Sequence, residues 1–177
     1  GPFAVNNKIF TIVMTHKKLS RDDTIESFEI IDENNKVHYK KYFGARIAKG
    51  HPDFESTIQM EAYKVSGSNG EGLIIYYTIM PNAPPAGESF QLFGLEKGML
   101  KPLTSAVGIA GGIHELPKGD SRRSLKLFDG DVIYVEIWTN YFAVIIPIAV
   151  DFKQLLVKPA KSSGTFDIYY PRSILKS

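Results

Sequence analysis

The chain has 177 residues, enough for one domain with a full hydrophobic core and no need of metal or disulfide staples. Hydrophobic residues make up 44% and charged residues 23%, proportions that exclude general disorder. The formal net charge of +2 is too small to imply a nucleic-acid partner, and the absence of cysteine excludes disulfides, thiolate metal sites and a cysteine nucleophile.

Charge is uneven along the chain. Residues 51–100 carry Lys64 and Lys97 against Asp53, Glu55, Glu61, Glu71, Glu88 and Glu96, whereas both ends are net basic. No basic stripe interleaves with aromatics, so no nucleic acid is expected to bind. The longest apolar run, Tyr141–Val150, is about half of what a membrane-spanning helix needs, and no membrane insertion is expected. The compartment is left open, with an extracytoplasmic setting slightly favoured. Gly1-Pro2 resembles a protease-cleaved tag remnant, which leaves 3–177 as a single β domain with a weakly patterned segment at 151–177.

Short β-branched and aromatic runs between turn residues dominate the chain. Lys8–His16 is the first predicted strand, centred on Ile9, Phe10, Ile12, Val13 and Met14. Leu19–Glu26 is polar and reads as a turn or short helix. Ser27–Asp32 and Lys36–Phe43 form a predicted hairpin around Glu33-Asn34-Asn35, residues that tolerate a left-handed backbone. Gly44–Phe54 is loop-like. In Ser56–Val65, Ile58, Met60 and Ala62 alternate with Thr57, Gln59 and Glu61, which predicts a half-buried strand. Ser66–Gly72 reads as a flexible loop. Leu73–Met80 is apolar throughout, so both of its faces are expected to be covered.

Pro81–Gly87 ends that strand. Ser89–Leu95 and Met99–Leu103 predict a second hairpin across Glu96-Lys97-Gly98. Ser105–Lys118 is glycine-rich and reads as a pliable loop or a glycine-containing strand. Ser124–Phe128 and Val132–Thr139 predict a third hairpin around Asp129-Gly130-Asp131. Tyr141–Val150 follows, with Pro147 arguing for an edge position or a bulge. Thr165–Tyr170 is a last short strand. About nine or ten short antiparallel strands at this spacing predict a mainly β chain, a β-sandwich or jelly-roll-like fold.

Signatures of chemistry are weak. His51, Asp53 and Glu55 would share one side of an extended segment, but Pro52 disfavours a regular strand and a solvated loop is the simpler reading. His16, His38 and His114 show no paired-ligand spacing, so no metal and no cofactor are expected. Gly108–Gly112 lacks the Lys-Ser/Thr of a phosphate loop, and His114-Glu115 lacks the second histidine of a zinc-protease helix. Glu61, Glu88, Asp131 and Glu136 are conceivable carboxylates for a glycan-acting hydrolase, but no spacing selects a pair. The most informative segment is Tyr134–Phe142. Ile133, Val135 and Ile137 share one strand face, and Tyr134, Glu136 and Trp138 the other. Trp138, the only tryptophan, stands beside the Thr139-Asn140 turn with Tyr141 and Phe142 nearby. Tyr134, Trp138, Asn140, Tyr141 and Phe142 form the candidate ligand-binding set, suited to a glycan or a protein partner. The sequence thus favours a non-catalytic binding or interaction module, with a hydrolase as the alternative.

Overall fold

The computed structural model describes residues 1–18, 23–43, 56–81, 87–103, 107–109, 111–113, 124–126, 131–138, 143–160 and 168–169, and only the backbone path at 56, 79–81, 87–89, 107–109, 111–113, 124–126, 135–138, 143–146 and 168–169. Among these residues the regular structure is all strand, as the sequence predicts.

The first sheet is a meander of β1 (Pro2–Val5), β2 (Lys8–Lys18), β3 (Asp23–Asp32) and β4 (Val37–Tyr42). The central sheet has the order β11-β5-β6-β7-β8, built from β5 (Ser56–Gly67), β6 (Gly70–Pro81), β7 (Gly87–Glu96), β8 (Met99–Pro102) and β11 (Ser124–Lys126), with β9 (Val107–Ile109) also on β7. The third sheet runs β10-β12-β13-β14, from β10 (Gly111–Ile113), β12 (Val132–Trp138), β13 (Ala143–Asp151) and β14 (Leu156–Pro159), and β15 (Ile168–Tyr169) adds to β13.

Two apolar cores lie on opposite faces of the central sheet. Phe3, Val5, Phe10, Ile12, Phe28 and Ile30 of the first sheet pack on Ala62, Leu73, Ile75, Tyr77, Phe93 and Leu100. Tyr63, Val65, Ile74, Phe90 and Leu92 face the other way, onto Ile133, Val150 and Phe152. This explains the composition of β6. Leu73, Ile74 and Ile75 are all fully buried because successive side chains enter different cores.

Local chemistry sets the turns. Asn6 and Asn7 both have positive φ (47° and 63°), as do Lys97 and Gly98 (48° and 84°), the backbone that closes two-residue hairpins between right-twisted strands. In the predicted β3–β4 hairpin, Asn35 takes the left-handed conformation (φ 59°) and Asp32 Oδ1 accepts the Asn34 and Lys36 amides at 2.9 and 3.0 Å.

Several expectations need correction. Strand pairing starts before the predicted first strand, in a strand that begins at Pro2 and buries Phe3 and Val5. Asp23–Glu26 is strand, neither turn nor helix, because Thr24 and Ile25 are buried against the interior. The loop at 66–72 is a two-residue turn, with Gly67 paired to Gly70. The third hairpin does not form. β11 runs parallel to β5 in the central sheet, while β12 pairs with β10 and β13 in the third. The described strands number fifteen, in three sheets rather than two.

Pro147 lies inside β13, an interior strand rather than an edge. Its carbonyl accepts the Ala160 amide at 3.1 Å, on the side away from β12. Nitrogen and carbonyl of one strand residue point the same way, so the missing donor leaves the β12 ladder intact.

Candidate functional site

β2 is apolar on both faces, as β6 is, but among the described residues the first sheet is covered on one face only. Phe10 and Ile12 are buried inward. Outward, Ile9 is 46% exposed, Val13 43% and Val37 47%. The register gathers them. Thr11 stands opposite Pro2 of β1 and Ile31 of β3, and Ile31 stands opposite Val37 of β4. Ile9 and Val13 flank Thr11 on the same face by strand alternation. Pro2, Ile9, Thr11, Val13, Ile31 and Val37 thus form an apolar patch across all four strands.

A polar rim borders the patch. Val13 faces Glu29, which faces Lys40, and the Lys40 ammonium lies 2.5 Å from the Glu29 carboxylate. One register step on, Thr15, Ser27 and Tyr42 align, and the well-exposed Tyr42 hydroxyl donates to Glu26 at 3.2 Å. The Glu26 charge raises the Tyr42 pKa above the ordinary phenol value, so the group stays a donor. The patch thus has an apolar centre bordered by charges and a tyrosine.

The polar groups buried elsewhere do structural work. A β-bulge between Ile30 and Ile31 gives β4 an extra residue, His38, whose side chain is 2% exposed. Its Nδ1 accepts the Leu100 amide at 3.0 Å, so the proton sits on Nε2, which donates to Asp32 Oδ2 at 2.9 Å. With both nitrogens engaged, the dyad clamps the first sheet to β8 and has no nitrogen left for catalysis. Asp131, also buried, accepts the Ser68 amide and hydroxyl at 2.7 and 2.6 Å. Asn69 completes this joint, its side chain accepting the Phe152 amide at 3.1 Å. The turn between β5 and β6 is thereby pinned to the third sheet.

The candidate carboxylates fare differently. Asp131 is consumed by the turn, and Glu61 is exposed and accepts the Tyr63 hydroxyl. The side chains of Glu88 and Glu136 lie outside the described residues. So do His51, Asp53, Glu55 and His114. Among the described residues no three His, Asp or Glu gather to hold a metal, and no helix is long and apolar enough to cross a membrane.

Of the candidate ligand set, Tyr134 is 37% exposed, on the face opposite buried Ile133. Trp138 ends β12, opposite Ala143, so its backbone stands where the connection 139–142 begins. Asn140, Tyr141 and Phe142 lie outside the described residues. The first-sheet patch was not legible in the sequence, because a strand apolar on both faces reads as doubly covered. Compared with known proteins, the chain matches no family model, no curated protein and no solved structure.

Proposed function

We propose that this protein is a non-catalytic interaction module that receives a protein partner on the outer face of its first sheet. One observation carries the reading. β2 has the composition of a strand buried on both sides, yet Ile9 and Val13 face solvent beside exposed Val37. Covering such side chains gains roughly 25 cal/mol for each Å² removed from water, a gain left unused in the isolated chain.

Selection from a displayed peptide library, run beside a glycan panel, tests this. Peptides are expected to be recovered, and Ile9→Lys with Val37→Lys is expected to abolish their binding while leaving the denaturant midpoint unchanged. Leu156→Lys, at an exposed leucine of the third sheet, serves as control. Ligands indifferent to Ile9→Lys and Val37→Lys but lost in Trp138→Ala would move the site to the Trp138 turn, and glycan binders there would change the ligand class.

A further inference from the structure

Asn69-Gly70 is the one asparagine–glycine step in the chain. Such a step is chemically weak, because a glycine has no side chain to keep its nitrogen from the amide carbon of the preceding asparagine. In an unconstrained chain the two close to a ring and ammonia is lost. Here the step lies in the turn between β5 and β6, where Gly67 pairs with Gly70. Ser68 beside it is exposed, and Asn69 is half-buried.

The third sheet holds both partners of that reaction. Asn69 Oδ1 accepts the Phe152 amide at 3.1 Å, and its Nδ2 donates to the Val150 carbonyl at 3.4 Å. Phe152 also lies over the glycine. A Cβ at Gly70 would stand 3.0 Å from Phe152 Cβ, and Gly70 takes φ 144°, a backbone that other residues rarely adopt. Asp131 grips the turn from the same side, through the Ser68 amide and hydroxyl. Swinging the Asn69 side chain onto the Gly70 nitrogen therefore requires the turn to leave its dock.

We infer that Asn69 is a deamidation site gated by the third sheet. It stays intact while the turn is docked on Asp131, Val150 and Phe152, and is converted when that joint opens. In the conversion the Gly70 nitrogen gives up its proton and bonds to Asn69 Cγ. The Cγ–Nδ2 bond breaks, and ammonia leaves with that proton. Water, the only co-reactant, then opens the succinimide. Cleavage between Cγ and the ring nitrogen gives aspartate, and cleavage between the backbone carbonyl carbon and that nitrogen gives isoaspartate. Either product opposes closure. Aspartate puts an oxygen without a proton where Nδ2 donated to the Val150 carbonyl, and adds a second carboxylate beside the one that holds Ser68. Isoaspartate lengthens the main chain by one atom, in a tight turn whose Gly70 and Gly72 lie against Phe152. The outer face of the first sheet takes no part, so this inference stands apart from the proposed binding function.

The test incubates the intact chain beside the free peptide Val-Ser-Gly-Ser-Asn-Gly-Glu-Gly, the sequence of residues 65–72, in mildly alkaline buffer. Peptide mapping follows aspartate and isoaspartate at position 69. Conversion in the folded chain is expected to be at least about tenfold slower than in the peptide, because the docked side chain must first be released. Ile133→Ala removes packing from around Val150 and Phe152, and is expected to speed conversion several-fold. If that variant folds poorly, a low concentration of denaturant on the unaltered chain gives the same comparison. The deamidated fraction, separated by ion exchange, is expected to exchange its Phe152 amide about tenfold faster than the parent. Equal rates in chain and peptide would overturn the gate, as would a rate indifferent to both Ile133→Ala and denaturant. An equally protected Phe152 amide in the deamidated chain would overturn the lasting effect on the joint.

Discussion

At the residue scale, the critical contacts are the few places where the sheets meet through polar groups or bare backbone. Asp131 adopts φ 60° so that its carboxylate reaches the Ser68 amide and hydroxyl. Asp131→Ala leaves both donors without their acceptor, and is expected to cost about 1–3 kcal/mol by denaturant titration. Asp131→Asn keeps one acceptor oxygen and the tolerance for positive φ, and should cost less. An equal loss in both variants would assign the effect to backbone strain. Gly72 is a matter of space. A Cβ there would lie 2.2 Å from Phe152 Cε1 and 2.4 Å from the Phe93 carbonyl oxygen. The ring can turn aside, but the carbonyl belongs to the adjacent strand and is fixed. Gly72→Ala is expected to destabilise by about 3 kcal/mol, the upper end of overpacking costs, and a wild-type melting curve would refute the close approach.

At the element scale, β12 offers a direct test of register. Ile133 is buried among Val65, Val150 and Phe152, while Tyr134 is half exposed on the opposite face. Ile133→Ala is expected to cost about 2–5 kcal/mol through lost transfer energy and a cavity. Tyr134→Ala is expected to cost about 1 kcal/mol or less, as exposed positions usually do. Reversed sensitivities would mean a one-residue slip, which flips every side chain of the strand. The same alternation explains which strands were legible. Ser56–Val65 shows the expected face of Ile58, Met60 and Ala62 against the first core, but Tyr63 and Val65 on its other face serve the second core. β14 went unseen because it is short and mostly exposed, so it carries no apolar alternation.

At the scale of the whole molecule, two cores share one sheet. Ile30 belongs to the first core and Ile133 to the second. If both cores unfold together, the costs of Ile30→Ala and Ile133→Ala should add within about 0.5 kcal/mol in one cooperative transition. Two separate transitions in the double variant would show that the central sheet can release one partner and keep the other. Acid is expected to loosen the first sheet's attachments. At Asp32 the hydrogen bond from His38 is the main cause holding the carboxyl below its ordinary range. At Glu71 burial pushes the value up, but Lys64 at 2.7 Å and the Asn6 amide at 2.7 Å outweigh it, so the net direction is again down. A carboxylate lowered by folding stabilises fully above the ordinary range, about pH 4–4.5, and this is lost as pH falls through the lower folded value. Denaturant midpoints should therefore drop below about pH 4.5, and Asp32→Asn with Glu71→Gln should flatten that drop. A wild-type pH profile in the double variant would place the titration in other groups.

The sequence by itself determined the class and much of the local geometry. β-branched and aromatic runs of strand length dictate strands, and paired Asn, or Asn and Gly beside a charged residue, dictate where they turn back, because these are properties of neighbouring residues. The hairpins at Asn35 and at Lys97-Gly98 were legible for that reason, as was the burial of both faces at Leu73–Ile75, the first part of the predicted strand. Which strands share a sheet was decided only in the tertiary structure. Ser124–Lys126 and Val132–Trp138 look like hairpin partners along the chain, but they join different sheets and Asp131 is drawn to the Ser68 turn. The candidate surface depends on the same level. Ile9–Met14 and Leu73–Met80 have the same apolar pattern, and composition cannot distinguish them. Among the described residues the central sheet has a layer on each face and the first sheet has one, so the same chemistry is core in β6 and exposed surface in β2.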